Sequence, residues 1–298
     1  MKKLDFSAFK PVELRDREIL EPFIMARETR YCDYQFTGLY AWTRLYGTSW
    51  LLQENRLWLY SSLHKVAAMP LGADLAAPEL AAVAGDLAAW DGCREIVMLD
   101  QAYLDRRPDT HDYFQVNPDP DNANYIYSSS KLVELSGKKL AKKKNLLNQF
   151  RRNHPGYRVL PVQKEDMGRV LELSRRWCLV KDCEEDEFRH EKCALARIMA
   201  DFDRLDIAGI KIALGDEIIA FSLFSALNSN TIDVNFEKFA PDIKGSGQVI
   251  NWETARYVSA KYPLINREQD LGQPGLRQAK RSYAPEFILI PYRLCLKC

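Results

Sequence analysis

The sequence predicts a mixed α/β protein made of two similar parts, and three observations carry that prediction. In the second half, strand-like and helix-like periodicities follow the order β-α-α-β-β-β-α-β-α-β. The first half repeats this order more faintly. The 298 residues, 47% hydrophobic and 28% charged, supply enough chain for two cores of ordinary domain size.

Residues 157–162 alternate as a short strand. Met167, Val170, Leu171, Ser174 and Trp177 then recur at helical spacing, as do Phe188, Leu195, Ile198, Met199 and Phe202. Strand-like runs at 207–214 and 217–227 flank Gly215-Asp216, a two-residue turn that suits a hairpin, and a third run covers 231–238. The turn Asp242-Ile243-Lys244-Gly245-Ser246-Gly247 leads into a helix over 248–261, stopped by Pro263. A strand at 264–266, a helix at 275–283 and a strand at 287–294 complete the second half.

In the first half, Val12, Ile19, Leu20 and Phe23 mark one helix, and Phe36, Leu39, Tyr40, Thr43 and Tyr46 another. Strands at 49–53, 57–62 and 65–69 precede a helix carrying Leu80, Val83 and Leu87, and a strand at 95–99 follows. The proline- and aspartate-rich stretch 106–124 reads as a loop. The two parts divide at Asn153, giving domains 1–153 and 154–298.

A net charge of +1 does not by itself announce a nucleic-acid partner. The most apolar stretch, 75–90, is interrupted by Pro78, Glu79, Gly85 and Asp86, far from the roughly 20 apolar residues a membrane helix needs. The charged N-terminus lacks the apolar core of a secretion signal, so a cytoplasmic location is expected. Seven cysteines at irregular spacing do not read as a disulfide framework. Cys178, Cys183, His190 and Cys193 match no usual zinc spacing, and Cys295-x-x-Cys298 falls at the chain's end; no metal is expected. Serine-nucleophile, P-loop and dinucleotide fingerprints are not found.

Four features carry chemistry. At Lys244, Gly245, Ser246, Gly247 and Gln248, glycines allow backbone N–H groups to approach a ligand, and the following helix turns its positive end toward a phosphate. A plain loop-to-helix turn uses the same residues without a ligand. On the preceding strand, Thr231, Asp233, Asn235 and Glu237 alternate onto one face, which calls for either solvent or a site. Further on, Asn266, Glu268 and Asp270 lie near Arg277, Lys280, Ser282 and Tyr283; these are substrate and charge partners, or an ion-pair network fixing the last helix. Lastly, Lys138, Lys139, Lys142, Lys143, Lys144, Arg151 and Arg152 form a basic run without a single acid, whereas 182–187 holds five acids. Such a run is either a solvated helix face or a contact for a polyanion.

The element order resembles the GNAT acyltransferase fold, so the fold expected is two tandem GNAT-like domains. The motifs narrow this further. Tyr31-Cys32-Asp33-Tyr34-Gln35-Phe36, Leu39-Tyr40-x-Trp42, Tyr125-Ile126-Tyr127, Leu135-x-Gly137-Lys138-Lys139-Leu140 and Lys143-Lys144-Asn145 occur in the first half. Phe236-Glu237-Lys238, Lys244-Gly245, Asn266-Arg267-Glu268-x-Asp270-Leu271-Gly272 and Leu276-Arg277-x-Ala279-Lys280-x-Ser282-Tyr283-x-Pro285 occur in the second. With these the chain resembles the family named for the C-terminal domain of phosphatidylglycerol lysyltransferase.

That resemblance implies transfer of an aminoacyl or acyl group from an activated donor to an amine or hydroxyl. Glu237 or Asp233 would be the base, Tyr283 the acid, and the 244–248 turn the donor site. The co-substrate would be aminoacyl-tRNA or acyl-CoA, with no tightly bound cofactor; Asp242, where GNAT enzymes have Gln or Arg, favours aminoacyl-tRNA. Transfer RNA becomes a possible partner of the basic run, and the acceptor a small molecule or a headgroup. Two alternatives stay open: an acetyl-CoA-dependent N-acetyltransferase of a small amine, and a non-catalytic ligand- or tRNA-binding protein of the same fold.

Overall fold

The computed structural model describes residues 3–181 and 185–297, in two compact units: Met1–Ala123 with Leu289–Cys298, and Asn124–Ile288. In chain order the first unit contains β1 (Lys10–Pro11), α1 (Arg17–Ala26), α2 (Phe36–Tyr46), β2 (Thr48–Gln53), β3 (Arg56–Ser61), β4 (Val66–Ala68) and β5 (Leu71–Gly72). Next come α3 (Ala77–Asp91), β6 (Glu95–Leu99), α4 (Gln101–Arg106), α5 (Thr110–Tyr113) and β7 (Phe114–Pro118). The second unit opens with β8 (Asn124–Ser128), α6 (Ser129–Glu134), α7 (Ala141–Asn153), β9 (Arg158–Pro161), α8 (Met167–Lys181) and α9 (Glu185–Ala200). It continues with β10 (Ile207–Leu214), β11 (Glu217–Ala226), β12 (Thr231–Phe239), α10 (Ser246–Val258), β13 (Leu264–Asn266), α11 (Pro274–Arg281) and β14 (Phe287–Leu289). The last strand, β15 (Tyr292–Leu296), returns to the first sheet.

From β9 to β14 the order expected for the second half is observed element by element. The Gly215-Asp216 turn joins β10 to β11, where Leu214 pairs with Glu217. Ile219, Ala220, Phe221, Leu223 and Phe224 of β11 are all buried, as a central strand covered on both faces requires. Each of the larger side chains stabilises the unit by roughly 1.5–3 kcal/mol. The second sheet runs β14-β8-β13-β12-β11-β10-β9. In the first unit the sheet runs β1-β2-β3-β4-β6-β15-β7, with β5 paired to β3. Its core gathers Trp58, Tyr60, Met69, Leu80, Leu87, Phe114 and Leu294.

Three expectations change. The stretch 106–124 is not all loop: it forms α5 and β7, with Phe114 buried, and its prolines end the strand instead of preventing it. The terminal strand expected at 287–294 divides at Ile290-Pro291, because a proline cannot donate to a ladder. Its halves, β14 and β15, belong to different sheets. The boundary falls between Ala123 and Asn124, not at Asn153, because β8 pairs with β13 in the second sheet.

Each sheet therefore has, between its fifth strand and its last, a strand from the other half of the sequence. β8 lies between β13 and β14; β15 lies between β6 and β7. A shared local device marks the duplication. In Pro11-Val12-Glu13-Leu14-Arg15-Asp16 and Pro161-Val162-Gln163-Lys164-Glu165-Asp166, the aspartate accepts the backbone N–H three residues upstream at 2.8 Å. Each aspartate also accepts from a side chain of a sheet strand, Trp50 Nε1 at 3.0 Å in one case and Lys211 Nζ in the other.

The acidic run at 182–187 lies largely outside the described residues or their described side chains, as do Cys183 and Cys298. Among the described residues, no group of three or more His, Cys, Asp or Glu is placed to hold a metal ion. No helix among them is long and apolar enough to cross a membrane.

Candidate active site

The site begins where β12 and β13 part. They pair in parallel over three positions, Thr231 with Leu264, Ile232 with Ile265 and Asp233 with Asn266, and then β12 continues alone on that side. Just past the last pair β12 bulges. Val234 faces Phe224 and Phe236 faces Leu223, so Asn235 is the extra residue. Directly opposed residues share a face, so the bulge reverses the alternation beyond it.

Glu237, opposite Ser222, is thereby on the face of Val234 and Phe239, toward α10; Asp233, opposite Ser225, is on the other. The single polar face expected from simple alternation does not exist. Asp233 and Asn235 form their own buried chain, in which Ser225 Oγ donates to Asn235 Oδ1 at 2.6 Å and Asn235 Nδ2 donates to Asp233 Oδ2 at 3.0 Å. They are not brought to Glu237.

The Glu237 side chain is only 10% exposed. Arg267, just past β13, donates from Nη2 to Glu237 Oε1 at 2.5 Å. The second oxygen, Oε2, is buried without a hydrogen-bond partner. Burial pushes the Glu237 carboxyl above its ordinary value, against the opposing pull of Arg267, Lys280 and Lys238.

Arg267 is aimed by the loop from Asn266 to Gly272. Glu268 and Leu271 take left-handed backbone there, at φ 56° and 51°, which costs non-glycine residues about 1–2 kcal/mol each. Asp270, fully buried, holds the loop in place. It accepts Arg277 Nε and Nη2 at 2.8 Å each, the Tyr125 hydroxyl at 2.5 Å and the Gly272 N–H at 2.9 Å. The Arg277 fork and the Tyr125 hydroxyl hold the Asp270 carboxyl down at about 2. Lys280 donates its ammonium protons to the carbonyls of Arg267 and, at 2.5 Å, of Gln269. Its own carbonyl accepts the Tyr127 hydroxyl at 2.8 Å. Arg277 and Lys280 thus build the site instead of presenting free charge to a substrate. Asn266 bridges Asn124 Oδ1 and the Glu268 N–H at 2.7 Å each, and Ser282 Oγ turns back to the Ala279 carbonyl.

Tyr283, buried just past α11, completes the cluster. The Arg267 guanidinium lies 5.4 Å from its ring centre, and the Lys143 ammonium 4.2 Å. Burial raises the Tyr283 hydroxyl above the usual phenol value, while Arg267 and a hydrogen bond with the Gln248 side chain pull the other way. Gln248 is the member of the expected donor turn that reaches this cluster. Both glycines of that turn have a packing reason of their own. A Cβ on Gly245 would stand 2.8 Å from Phe150 Cβ and 2.9 Å from the Leu146 carbonyl of α7; on Gly247 it would meet the Phe239 ring at 2.9 Å. Ser246 Oγ is engaged by the Ala240 carbonyl at 2.7 Å, and Lys244 is exposed.

The basic run divides. Lys138, Lys139, Lys142, Lys144, Arg151 and Arg152 are exposed, with Arg151 stacked over Trp252 at 5.3 Å, while Lys143 turns inward. Sequence reasoning passes over Arg267, Tyr125 and Tyr127 as site residues. Their signal is present in the motifs Asn266-Arg267-Glu268 and Tyr125-Ile126-Tyr127, one strand apart in the sheet. In the first unit the corresponding parallel pair is β4 and β6, and the two carbonyls just past β4 are capped by side chains. The Tyr34 hydroxyl caps the Met69 carbonyl at 2.7 Å, and Arg27 Nη1 the Pro70 carbonyl at 3.2 Å.

This architecture is similar to that of a conserved protein of unknown function from Bacteroides thetaiotaomicron. The two chains are 31% identical, with a TM-score of 0.89 over 97% of this chain and 99% of that one. The fold alone is shared with L-PGS from Bacillus licheniformis, at a TM-score of 0.61 and 14% identity over 95% and 92% of the two chains. An uncharacterized protein of Mycoplasmoides gallisepticum is 27% identical over 181 residues, 59% of this chain and 57% of that protein, so little more than half of its length is spanned. The fold is GNAT-like in both units. Residues 26–294, which include every residue of the cluster above, match one family, and the chain belongs to it: the phosphatidylglycerol lysyltransferase, C-terminal, family.

Proposed function

We propose that this protein transfers an aminoacyl group from the ester of an aminoacyl-tRNA to an amine or hydroxyl acceptor, with Glu237 as base and Tyr283 as acid. The observation that carries this reading is Glu237 Oε2, a buried carboxylate oxygen without a partner in the cluster that holds Tyr283. The acceptor's nitrogen or oxygen attacks the ester carbonyl, and its proton passes to Oε2. As the bond from the carbonyl carbon to the carrier's ribose oxygen breaks, Tyr283 gives that oxygen its hydroxyl proton. The proton on Glu237 then restores Tyr283 through solvent.

Burial raises Glu237 toward the range of an effective base and keeps Tyr283 protonated until the leaving group needs its proton. Arg267 and Gln248 fix the two groups in place, and positioning supplies much of what an already activated ester requires. The family's name supports an aminoacyl donor. The packing of Phe150 against Gly245 gives acetyl-CoA no corresponding support at its expected turn. The exposed face of α7 offers the carrier's phosphates Lys142, Lys144, Arg151 and Arg152, with Lys138 and Lys139 just before it.

Glu237→Gln tests this directly, using a panel of charged tRNAs beside acetyl-CoA. Turnover should fall by roughly 10²–10⁴-fold, the usual worth of a general base, with donor binding unchanged. Undiminished turnover in the variant, or acetyl-CoA as the better donor, overturns the proposal.

A further inference from the structure

Three buried oxygens of the second unit have no hydrogen-bond partner among the described residues: Ser222 Oγ of β11, Glu237 Oε2 of β12 and Thr254 Oγ1 of α10. Pairing and packing bring them to one place. On the face toward α10, the opposed pairs of β11 and β12 run Ala220 with Phe239, Ser222 with Glu237, and Phe224 with Val234. The helix meets the first pair at Gly247, where a Cβ would stand 2.9 Å from the Phe239 ring. It meets the third at Tyr257, whose ring centre lies 5.5 Å from that of Phe224. Thr254 follows Gly247 by about two helical turns, so it lies on the same stripe, between those contacts and over the middle pair.

A threonine inside a helix commonly returns its hydroxyl to the carbonyl four residues back, and buried Thr254 does not. Ser222, also fully buried, sits directly across from Glu237. The other Glu237 oxygen is drawn to Arg267 on the β13 side, away from β11. Three unmet polar groups under one helix are unfavourable, and the usual remedy is a buried water molecule, which typically meets about three such groups. One water answers all three here: it accepts the hydroxyl protons of Ser222 and Thr254 and donates to Oε2. The second lone pair of Oε2 is left for the acceptor's proton.

We propose that Ser222 and Thr254 hold a water molecule against Glu237 Oε2 and act through it as positioning residues for the base. The site stands on geometry alone; its role in turnover rests on the transferase reading above. Hydroxyls and water both donate and accept, whereas Arg267 only donates. The site therefore satisfies Glu237 as a carboxylate and, with its hydrogen bonds reversed, as a carboxylic acid. The charged and titratable groups acting on Glu237 are Arg267, Lys280 and Lys238, with the Tyr127 and Tyr283 hydroxyls. Against that background, losing the water takes a donor from the carboxylate and moves Glu237 further above its ordinary value.

A high-resolution crystal structure of the full chain should show one water about 2.7–3.0 Å from each of the three oxygens. Thr254→Val keeps the shape and removes the hydroxyl; Ser222→Ala tests the strand's half of the site. Both should unfold at lower urea than the parent. Removing a hydroxyl that has no partner would have the opposite sign, because an apolar group is then the better occupant. A base works unprotonated, so the acidic limb of the pH–rate profile should move to higher pH in Thr254→Val, with donor KM unchanged. Thr254→Ser, which keeps the hydroxyl, should return the limb to its parent position.

A dry contact among the three groups, or higher urea midpoints in both hydroxyl-free variants, overturns the proposal. An unmoved acidic limb in Thr254→Val overturns the positioning role. The crystal structure and the urea titrations need no donor, so they are independent of turnover. Undiminished turnover in Glu237→Gln, with the water observed, would remove the transferase reading and leave the site. Turnover lost in Glu237→Gln, with no water observed, would remove this proposal alone.

Discussion

Replacing Asp270 by asparagine probes the frame that aims Arg267. In the folded chain its carboxyl is lowered from 3.8 to about 2, with the Arg277 hydrogen bonds as the largest cause and Tyr125 and the Gly272 N–H contributing. That difference of roughly two units, at about 1.4 kcal/mol each, corresponds to about 2–3 kcal/mol of stability. Because the folded value lies below the unfolded one, this stability is fully present above about pH 5. It is lost as pH falls through 3.8 toward about 2. An asparagine side chain cannot carry the charge, so Arg277 loses its counterion. Removing one partner of a buried pair costs about 3–5 kcal/mol, and the Arg277 side chain, 30% exposed, regains some water, which places the loss near the lower figure.

Urea unfolding of the full chain from pH 3 to pH 7, followed by tryptophan emission, measures both effects. Trp177 and Trp252 report the second unit. The parent should lose about 1 kcal/mol on acidification to pH 3 that Asp270→Asn does not lose, so the two curves should draw together toward pH 3 without meeting. Parallel curves over the whole range, or a loss below about 1 kcal/mol at pH 7, would refute this account of the loop.

Two further outcomes are expected. Gly245→Ala combines a left-handed residue, φ 91°, with contacts under 3 Å to α7, and should cost about 2–5 kcal/mol by urea titration. Gly215→Ala, at φ 57° with open space around it, should cost only about 1–2 kcal/mol, and equal losses at the two sites would remove the packing explanation of Gly245. Replacing Arg151 and Arg152 together by glutamine should weaken tRNA binding and flatten its salt dependence by about 0.9 log units for each phosphate no longer neutralised. An unchanged slope in a filter-binding assay would take those two residues out of the polyanion surface.

The fold was largely legible in the sequence, because it is written in local periodicity and turns: strand-like apolar runs at β10 and β11, Gly215-Asp216 between them, Pro263 after α10. Glu237, Gln248 and Asp270 could also be singled out from residue type and position, and Tyr283 from the family resemblance. What stayed hidden depends on partners distant in sequence. The bulge at Asn235 exists only in the pairing of β12 with β11, and it alone decides that Glu237 and Asp233 face opposite ways. Nothing in the charge run distinguishes Lys143 from Lys142 and Lys144; its inward turn follows from how Leu147 and Phe150 seat α7 against α10. The glycines of the 244–247 turn suggested phosphate, because a close approach by a ligand and by a neighbouring helix demand the same missing Cβ.

The placement of β15 has a consequence for synthesis on the ribosome. That strand, Tyr292–Leu296, occupies an inner position of the first sheet and joins β6 to β7. The first unit cannot be completed when its own segment Met1–Ala123 has emerged, since its missing strand is made only after the whole of the second unit. The unit Asn124–Ile288 is a continuous segment nested inside the other and is complete earlier. Maturation therefore runs against the usual vectorial order, in which amino-terminal domains finish first. A chain stalled between Ile288 and Tyr292 would hold a finished second unit and a first unit whose sheet is still open.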